Sequence, residues 1–120
     1  MSAFTEILQE MVERVPGAVG AIFADWEGES VGQFAFDMPD IEIQIIGAHW
    51  VVVWSAISAA LGRCGMGNPT DLHIEAEHSQ VLVRRVVEGY YVVLTLRRGT
   101  HLATALRELD RGVETLRAEL

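Results

Sequence analysis

The chain has 120 residues, a mass of 13.2 kDa and a formal net charge of −8, enough for one domain with one hydrophobic core. All nine basic residues are arginine, which excludes a lysine Schiff-base enzyme and a P-loop, because both need the lysine amine. The acidic balance, with a pI near 4.8, argues against a nucleic acid or an anionic membrane surface as the main partner.

The cellular compartment is indicated by cysteine use and by the chain start. Cys64 is the only cysteine, so it can form neither an internal disulfide nor a zinc cage, which favours the cytoplasm. The first residues carry Glu6 and no basic stretch, so we expect no signal peptide. The apolar segment 43–61 is long enough to span a membrane, but polar residues interrupt it. We predict a helix buried on both sides, no membrane insertion, and one domain over residues 1–120.

The first third of the chain predicts a helix and a hairpin. Apolar residues at helical spacing follow Ser2, a good N-cap, and the helix should end before Pro16. The apolar run 18–25 predicts a buried strand. A turn containing Gly28, which can adopt positive φ, leads into a second strand over 29–36.

The second helix is predicted over about residues 41–63, with Asp37 or Asp40 as its N-cap. One bulky face should pack on the sheet; it comprises Ile43, Ile46, Trp50, Val53, Trp54, Ile57 and Leu61. The flank beside it is apolar except for one histidine, and comprises Ile45, His49, Val52 and Ala56. Because a surface helix without a charged outer face usually contacts something else, we expect this flank either to bind a protein partner or to extend the core or a dimer contact.

Three strands are predicted next, over 72–77, 80–87 and 90–96. A leucine stripe over 102–120 predicts a closing amphipathic helix, in which Gly112 is expected to cost about 1 kcal/mol relative to alanine. The order α-β-β-α-β-β-β-α predicts an α+β fold with a five-stranded antiparallel sheet between helices. One end strand should be an open edge.

Several side chains could bind a metal or catalyse a reaction, but a structural role is the simpler interpretation of each. His73, Glu75 and Glu77 share one face of a strand and could bind a divalent cation, but a solvated edge strand explains them better. Cys64 follows the second helix, where a helix end explains it better than a catalytic nucleophile. The pairs Arg84-Arg85 and Arg97-Arg98 could form a patch that binds acidic groups, but adjacent strand residues point to opposite faces, so at most one of each pair could join it. Ion pairing with surface carboxylates is the simpler interpretation. We expect no catalytic, metal or cofactor site.

The segment 19–28, a hydrophobic strand closing in Asp-x-x-Gly, resembles the Roadblock/dynein light chain family. The long apolar helix ending at Gly62, the valine-rich strands and the leucine-striped last helix also fit, so the resemblance covers nearly the whole chain. The resemblance implies a Roadblock/longin/profilin-like fold, with one helix on one face of the sheet and two on the other.

The resemblance also implies a non-enzymatic homodimer, in which the third strand and the second helix meet their mates. The strand residues at that interface are Leu72, His73, Ile74, Glu75 and Ala76. We expect Ile74 to be a ladder donor at this edge. In bacterial relatives that bind a small Ras-like GTPase, the second helices form the contact platform, which places partner binding on the flank Ile45, His49, Val52 and Ala56.

Three function hypotheses remain open. The first is a homodimeric adaptor that binds and regulates a small Ras-like GTPase and could stimulate its hydrolysis. The alternative is a scaffold subunit that binds another Roadblock- or longin-like protein without nucleotide dependence. The third is a small-ligand sensor or an enzyme with a pocket near Trp50, Trp54 and Cys64.

Overall fold

The computed structural model describes residues 2–120 and contains eight elements in the predicted order. The helices are α1 (Ala3–Glu13), α2 (Asp40–Arg63) and α3 (Leu102–Ala118). The strands are β1 (Ala18–Asp25), β2 (Ser30–Ala35), β3 (Asp71–Glu75), β4 (Ser79–Val87) and β5 (Tyr90–Arg97). The predicted α+β class is confirmed, and the strands β3 to β5 each begin or end within two residues of their expected positions.

The five strands form one antiparallel sheet in the order β2-β1-β5-β4-β3. The β1–β2 hairpin and the β3–β4–β5 meander join where β1 pairs with β5, so β2 and β3 are the edge strands. Helices α1 and α3 cover one face and α2 covers the other, the arrangement that the resemblance implies.

Each face of the sheet has its own hydrophobic core, because alternate strand residues point to opposite faces. Phe23 and Leu82 lie under α1 and α3, whereas their neighbours Ile22 and Val83 lie under α2. The core under α1 and α3 is the larger of the two. The central strands β1 and β5 are therefore buried on both sides, and their sequences are almost wholly apolar.

The helix starts differ in how they are capped. The Ser2 hydroxyl accepts a hydrogen bond from the Thr5 N–H at 3.2 Å, as predicted. The predicted aspartate cap of α2 is wrong, because Pro39 occupies the N-cap position and no side chain caps the helix. Asp37 instead adopts a positive φ of 49° in the preceding turn, and Asp40 is the first helical residue. Its carboxylate still complements the positive end of the helix dipole.

Gly112 has a packing role that the sequence did not reveal. A Cβ at this position would lie 2.1 Å from Met11 Cε, so the glycine lets α3 approach α1 closely. An alanine at this position would require the flexible end of the Met11 side chain to move, while gaining the helical propensity that glycine lacks.

Helix α2 buries one face only. Its fully buried residues are Ile43, Gly47, Val51 and Trp54. By length and composition α2 could cross a membrane, but just 17% of its most apolar 18-residue window is buried here. The prediction of a helix buried on both sides is therefore wrong: α2 lies along the sheet with a long apolar face outside the core.

The contact of α2 with the sheet depends on Gly47, which the helical-wheel argument overlooked. A Cβ there would lie 2.7 Å from Ile22 Cδ1 and 2.9 Å from Ile22 Cγ2. Ile22 is completely buried and cannot move away freely. The absence of a side chain at position 47 thus sets how closely α2 approaches β1.

We expect Gly47→Ala to be less stable than Gly62→Ala by about 1–3 kcal/mol, because only the first overpacks a core. Both substitutions gain similar helical propensity in α2, and a Cβ at Gly62 meets no atom within 4 Å. Urea unfolding of the two variants and the parent protein measures the difference. Equal stabilities would show that α2 can shift at no cost.

Candidate functional site

The predicted partner-binding flank of α2 is exposed along its whole length. Ile45 is 49% exposed and Val52 is 68% exposed, while His49 and Ala56 are also on the surface. Between Glu42 and the last helical residue, Arg63, α2 contains no charged residue. The surface therefore presents an uncharged helix face that is apolar except for His49, which is unusual for a helix that contacts only solvent.

Strand β3 is the second exposed feature, with four of its five residues open to solvent. Leu72 and Ile74 pair with Val83 and Val81, so their side chains lie on the α2 side of the sheet. The side chain of His73 lies on the opposite side. Because β3 pairs only with β4, its outer backbone groups have no strand partner among residues 2–120.

The expectation that Ile74 donates at the open edge is wrong. The Ala76 N–H donates to the Ser79 carbonyl at 2.8 Å, which marks this pair as hydrogen-bonded. Hydrogen-bonded pairs alternate along an antiparallel ladder, so the Ile74 amide also points towards β4. The amides that face the open edge are those of His73, Glu75 and Asp71.

The exposed helix and the open strand are two walls of one cleft of about 150 Å³. Ile46 and Trp50 line it from α2, and Ile74 and Ala76 line it from the β3 side. At its base, the Thr95 hydroxyl is buried and has no hydrogen-bond partner within the described part of the chain. A partner that covers the edge of β3 would therefore also contact α2.

A polar network fixes the orientation of His73. Its Nε2 lies 2.9 Å from Gln80 Oε1, and Gln80 Nε2 donates to the Thr100 carbonyl at 3.4 Å. The Gln80 side chain thus joins His73 on β3 to the backbone at Thr100. Glu77 lies beyond the end of β3, and no group of three potential metal ligands is found in residues 2–120.

Arg84 connects the edge strand to α3. Its guanidinium donates to the carboxylates of Asp71 on β3 and Asp110 on α3. Burial by itself lowers the pKa of Arg84, but the two carboxylates outweigh it and the pKa lies above its ordinary value. Arg84 thus pairs with acids as the simpler interpretation expected, while Arg85 points to the opposite face.

The structure does not bring Trp50, Trp54 and Cys64 together. Trp54 is buried against Tyr91, with ring centroids 5.1 Å apart, and lines a different depression from Trp50. Cys64 is exposed at the C-cap of α2. These positions give no support to a shared ligand pocket.

Sequence reasoning missed the surface around the β1–β2 turn. Trp26 in this turn is 66% exposed, and Gly28 and Glu29 line an open groove against α2. A tryptophan in a polar hairpin turn is a signal that the sequence does contain, because turns rarely need a large aromatic side chain. Ile41, also exposed, extends the apolar surface towards the start of α2.

Comparison with known proteins identifies the fold. No protein-family model and no curated protein matches the sequence. Among solved structures, a Roadblock/LC7 domain from Streptomyces avermitilis superposes with a TM-score of 0.89 at 18% identity, covering 98% of each chain. Myxococcus xanthus MglB superposes with a TM-score of 0.88 at 10% identity, covering 98% of this chain and 94% of that one.

A structure of MglB with a tetrameric arrangement superposes with a TM-score of 0.85 at 17% identity, over 98% of this chain and 90% of that chain. The chain therefore has the Roadblock/LC7 fold. The fold that the Asp-x-x-Gly strand and the element order suggested is confirmed.

We expect Arg84→Met to destabilise the protein by about 1 kcal/mol and to loosen β3, because it removes the ion pairs that join β3 to α3. The effect is modest because these ion pairs are partly exposed to solvent. Arg85→Met is the matched control, since Arg85 forms no ion pair within residues 2–120. Native-state hydrogen exchange at the Leu72 and Ile74 amides is the measurement. Equal exchange rates in both variants would contradict a clamp at Arg84.

Proposed function

We propose that this Roadblock-fold chain is a homodimeric adaptor that binds and regulates a small Ras-like GTPase. The observation that carries the proposal is the placement of an uncharged, largely exposed helix face beside an open strand edge. Both features leave apolar or hydrogen-bonding groups without partners in the single chain. The kind of partner comes from the Roadblock resemblance, which implies GTPase regulation in bacterial relatives.

Self-association through β3 suits the geometry of its edge. Two copies of β3 paired antiparallel would share a twofold axis and satisfy the outward amides of both strands. The cleft between Trp50 and Ile74 lies next to that edge, so pairing would also cover apolar surface. A solved MglB with a tetrameric arrangement shows that one protein of this fold self-associates.

The GTPase surface is proposed on the flank of α2 that points away from the sheet. Ile45, Val52 and Ala56 supply exposed apolar area, and His49 supplies one polar group at its centre. Contacts of this kind act through surface burial and complementarity, without chemistry by the adaptor. The chain would thus alter the GTPase by binding it and reshaping its surface.

An inserted arginine is a weaker explanation for regulation. Arg84 is held by two carboxylates, and no arginine lies on the exposed helix face between residues 43 and 62. The proposed regulation therefore depends on the shape of the α2 surface and on the burial of its apolar residues.

The first experiment is the mass of the protein in solution by light scattering, alone and with a Ras-like GTPase loaded with a GTP analogue or with GDP. A dimer that gains mass only with the GTP-analogue form supports the proposal and justifies a hydrolysis assay. A dimer that binds a Roadblock- or longin-like chain, but neither GTPase form, favours the scaffold function. A monomer contradicts the proposed assembly.

We expect Glu75→Pro to convert the dimer into a monomer while leaving the fold intact. The Glu75 amide faces the open edge, so proline removes a donor to the second copy and places its ring where the second strand would pair, without breaking a β3–β4 hydrogen bond. Glu75→Ala keeps the amide and is the matched control. Light scattering measures the mass, and circular dichroism measures the fold.

A dimer that survives Glu75→Pro would exclude antiparallel pairing of β3 as the interface. Ile74→Pro is not an equivalent test, because the Ile74 amide points towards β4 and its loss disrupts the sheet of the single chain. The two proline variants therefore separate loss of assembly from loss of folding.

We expect Val52→Asp to fold normally and to lose GTPase binding by at least about tenfold, since a buried unpaired carboxylate costs more than about 1.4 kcal/mol at an interface. Val52 is largely exposed, so the single chain tolerates the charge. Ala103→Asp adds the same charge at an exposed position of α3, on the other side of the sheet, and should leave binding unchanged. Equal binding by both variants would exclude this flank as the GTPase surface.

A further inference from the structure

The charges are divided unevenly along the chain. No arginine or lysine lies between Arg14 and Arg63, yet this stretch contains six carboxylates, so it holds −6 of the total charge of −8. The six residues are Asp25, Glu27, Glu29, Asp37, Asp40 and Glu42. Within residues 2–120 none of them forms an ion pair. The half of the molecule that carries the β1–β2 turn and α2 is therefore acidic.

The β1–β2 turn rests against α2 and forms an open groove of about 420 Å³. A Cβ added at Gly28 would lie 3.1 Å from Ala48 Cα, so the turn and the helix are in close contact at this point. Gln44, Ile45 and Ala48 line the helix side, and Glu29 lines the turn side. The groove thus combines apolar surface from Ile45 and Ala48 with polar Gln44 and Ser30, and the Glu29 carboxylate lines its turn side.

We propose that this groove binds a segment of a protein partner whose apolar side chains are flanked by lysine or arginine. This proposal rests on the proposed function in one respect, that a protein contacts the exposed side of α2. It adds which side chains the contacting segment of that protein carries. Exposed Ile41 and Ile45 supply apolar contact area. Glu27 and Glu29 at the turn, with Asp40 in the first turn of α2, attract cations and repel acidic segments.

Charge also excludes other occupants of the groove. An anionic lipid surface or a nucleic acid would meet carboxylates and no arginine in this stretch. In a twofold dimer through the same groove, each copy would place its acidic β1–β2 turn, with Glu27 and Glu29, near that of the other. A different protein with basic residues beside an apolar segment suits the groove better than a lipid surface, a nucleic acid or a second copy of this chain.

The test uses two amphipathic helical peptides of about five turns as probes, each with leucine on one face and either lysine or glutamate on the other. Each peptide is titrated into the full-length, isotope-labelled protein, and amide shifts are followed by NMR. We expect the leucine–lysine peptide to shift the amides of Gly28, Ile45 and Ala48. We expect the leucine–glutamate peptide to leave them unchanged.

Two double variants separate the groove from total charge. Glu27→Gln with Glu29→Gln should weaken binding of the leucine–lysine peptide roughly fivefold, the effect of losing two exposed charge pairs. Glu114→Gln with Glu119→Gln changes the net charge equally at the exposed end of α3, and should leave the affinity within about twofold.

Equal losses in both double variants would overturn the proposal, because attraction would then depend on net charge alone. Peptide shifts confined to other surfaces, or no shift at Gly28 and Ala48 at any concentration, would also overturn it. No GTPase is present in this experiment. Its failure is therefore distinct from failure of the nucleotide-dependent mass measurement.

Discussion

The close contact between α2 and β1 determines which surfaces the rest of the molecule leaves open. Gly47 sits on buried Ile22, and a Cβ at Gly20 would lie 3.0 Å from Ile43 Cδ1, so both elements approach through glycine. Held in this way, α2 packs mainly on β1, β2 and β5. It makes little contact with β3, and the cleft beside Trp50 remains between them. The open edge and the exposed helix face are consequences of one packing arrangement.

The two sides of the sheet have different physical characters. On the α1 and α3 side, arginines pair with neighbouring carboxylates, as Arg84 does with Asp71 and Asp110 and Arg111 does with Glu10 and Glu108. On the α2 side, exposed apolar residues lie beside carboxylates without ion-pair partners in the described chain. What distinguishes the α2 side is exposed apolar surface flanked by carboxylates, the combination expected of a side that binds a protein.

Local sequence patterns predicted the elements well, since each pattern acts over one strand or helix. The apolar run 18–25 matches β1, and the exposed flank through Ile45 and Val52 follows from helical periodicity. Contacts between elements were harder to predict. The role of Gly47 depends on Ile22, 25 positions earlier, and the role of Gly112 depends on Met11 in another helix. Glycine has no side chain to create a periodic signal, so neither contact is visible in the sequence.

The direction of the β3 amides was also beyond sequence reasoning, because it depends on the pairing register with β4. That register has a thermodynamic consequence. The five-residue edge strand offers few outward amides. Replacing water by a second strand as the hydrogen-bond partner of such an amide gains little free energy for each hydrogen bond. In the proposed dimer, most of the affinity would then come from the apolar cleft and helix. Association driven by apolar burial has a negative heat-capacity change and weakens on cooling, so the assembly of this protein would depend on temperature more than on salt.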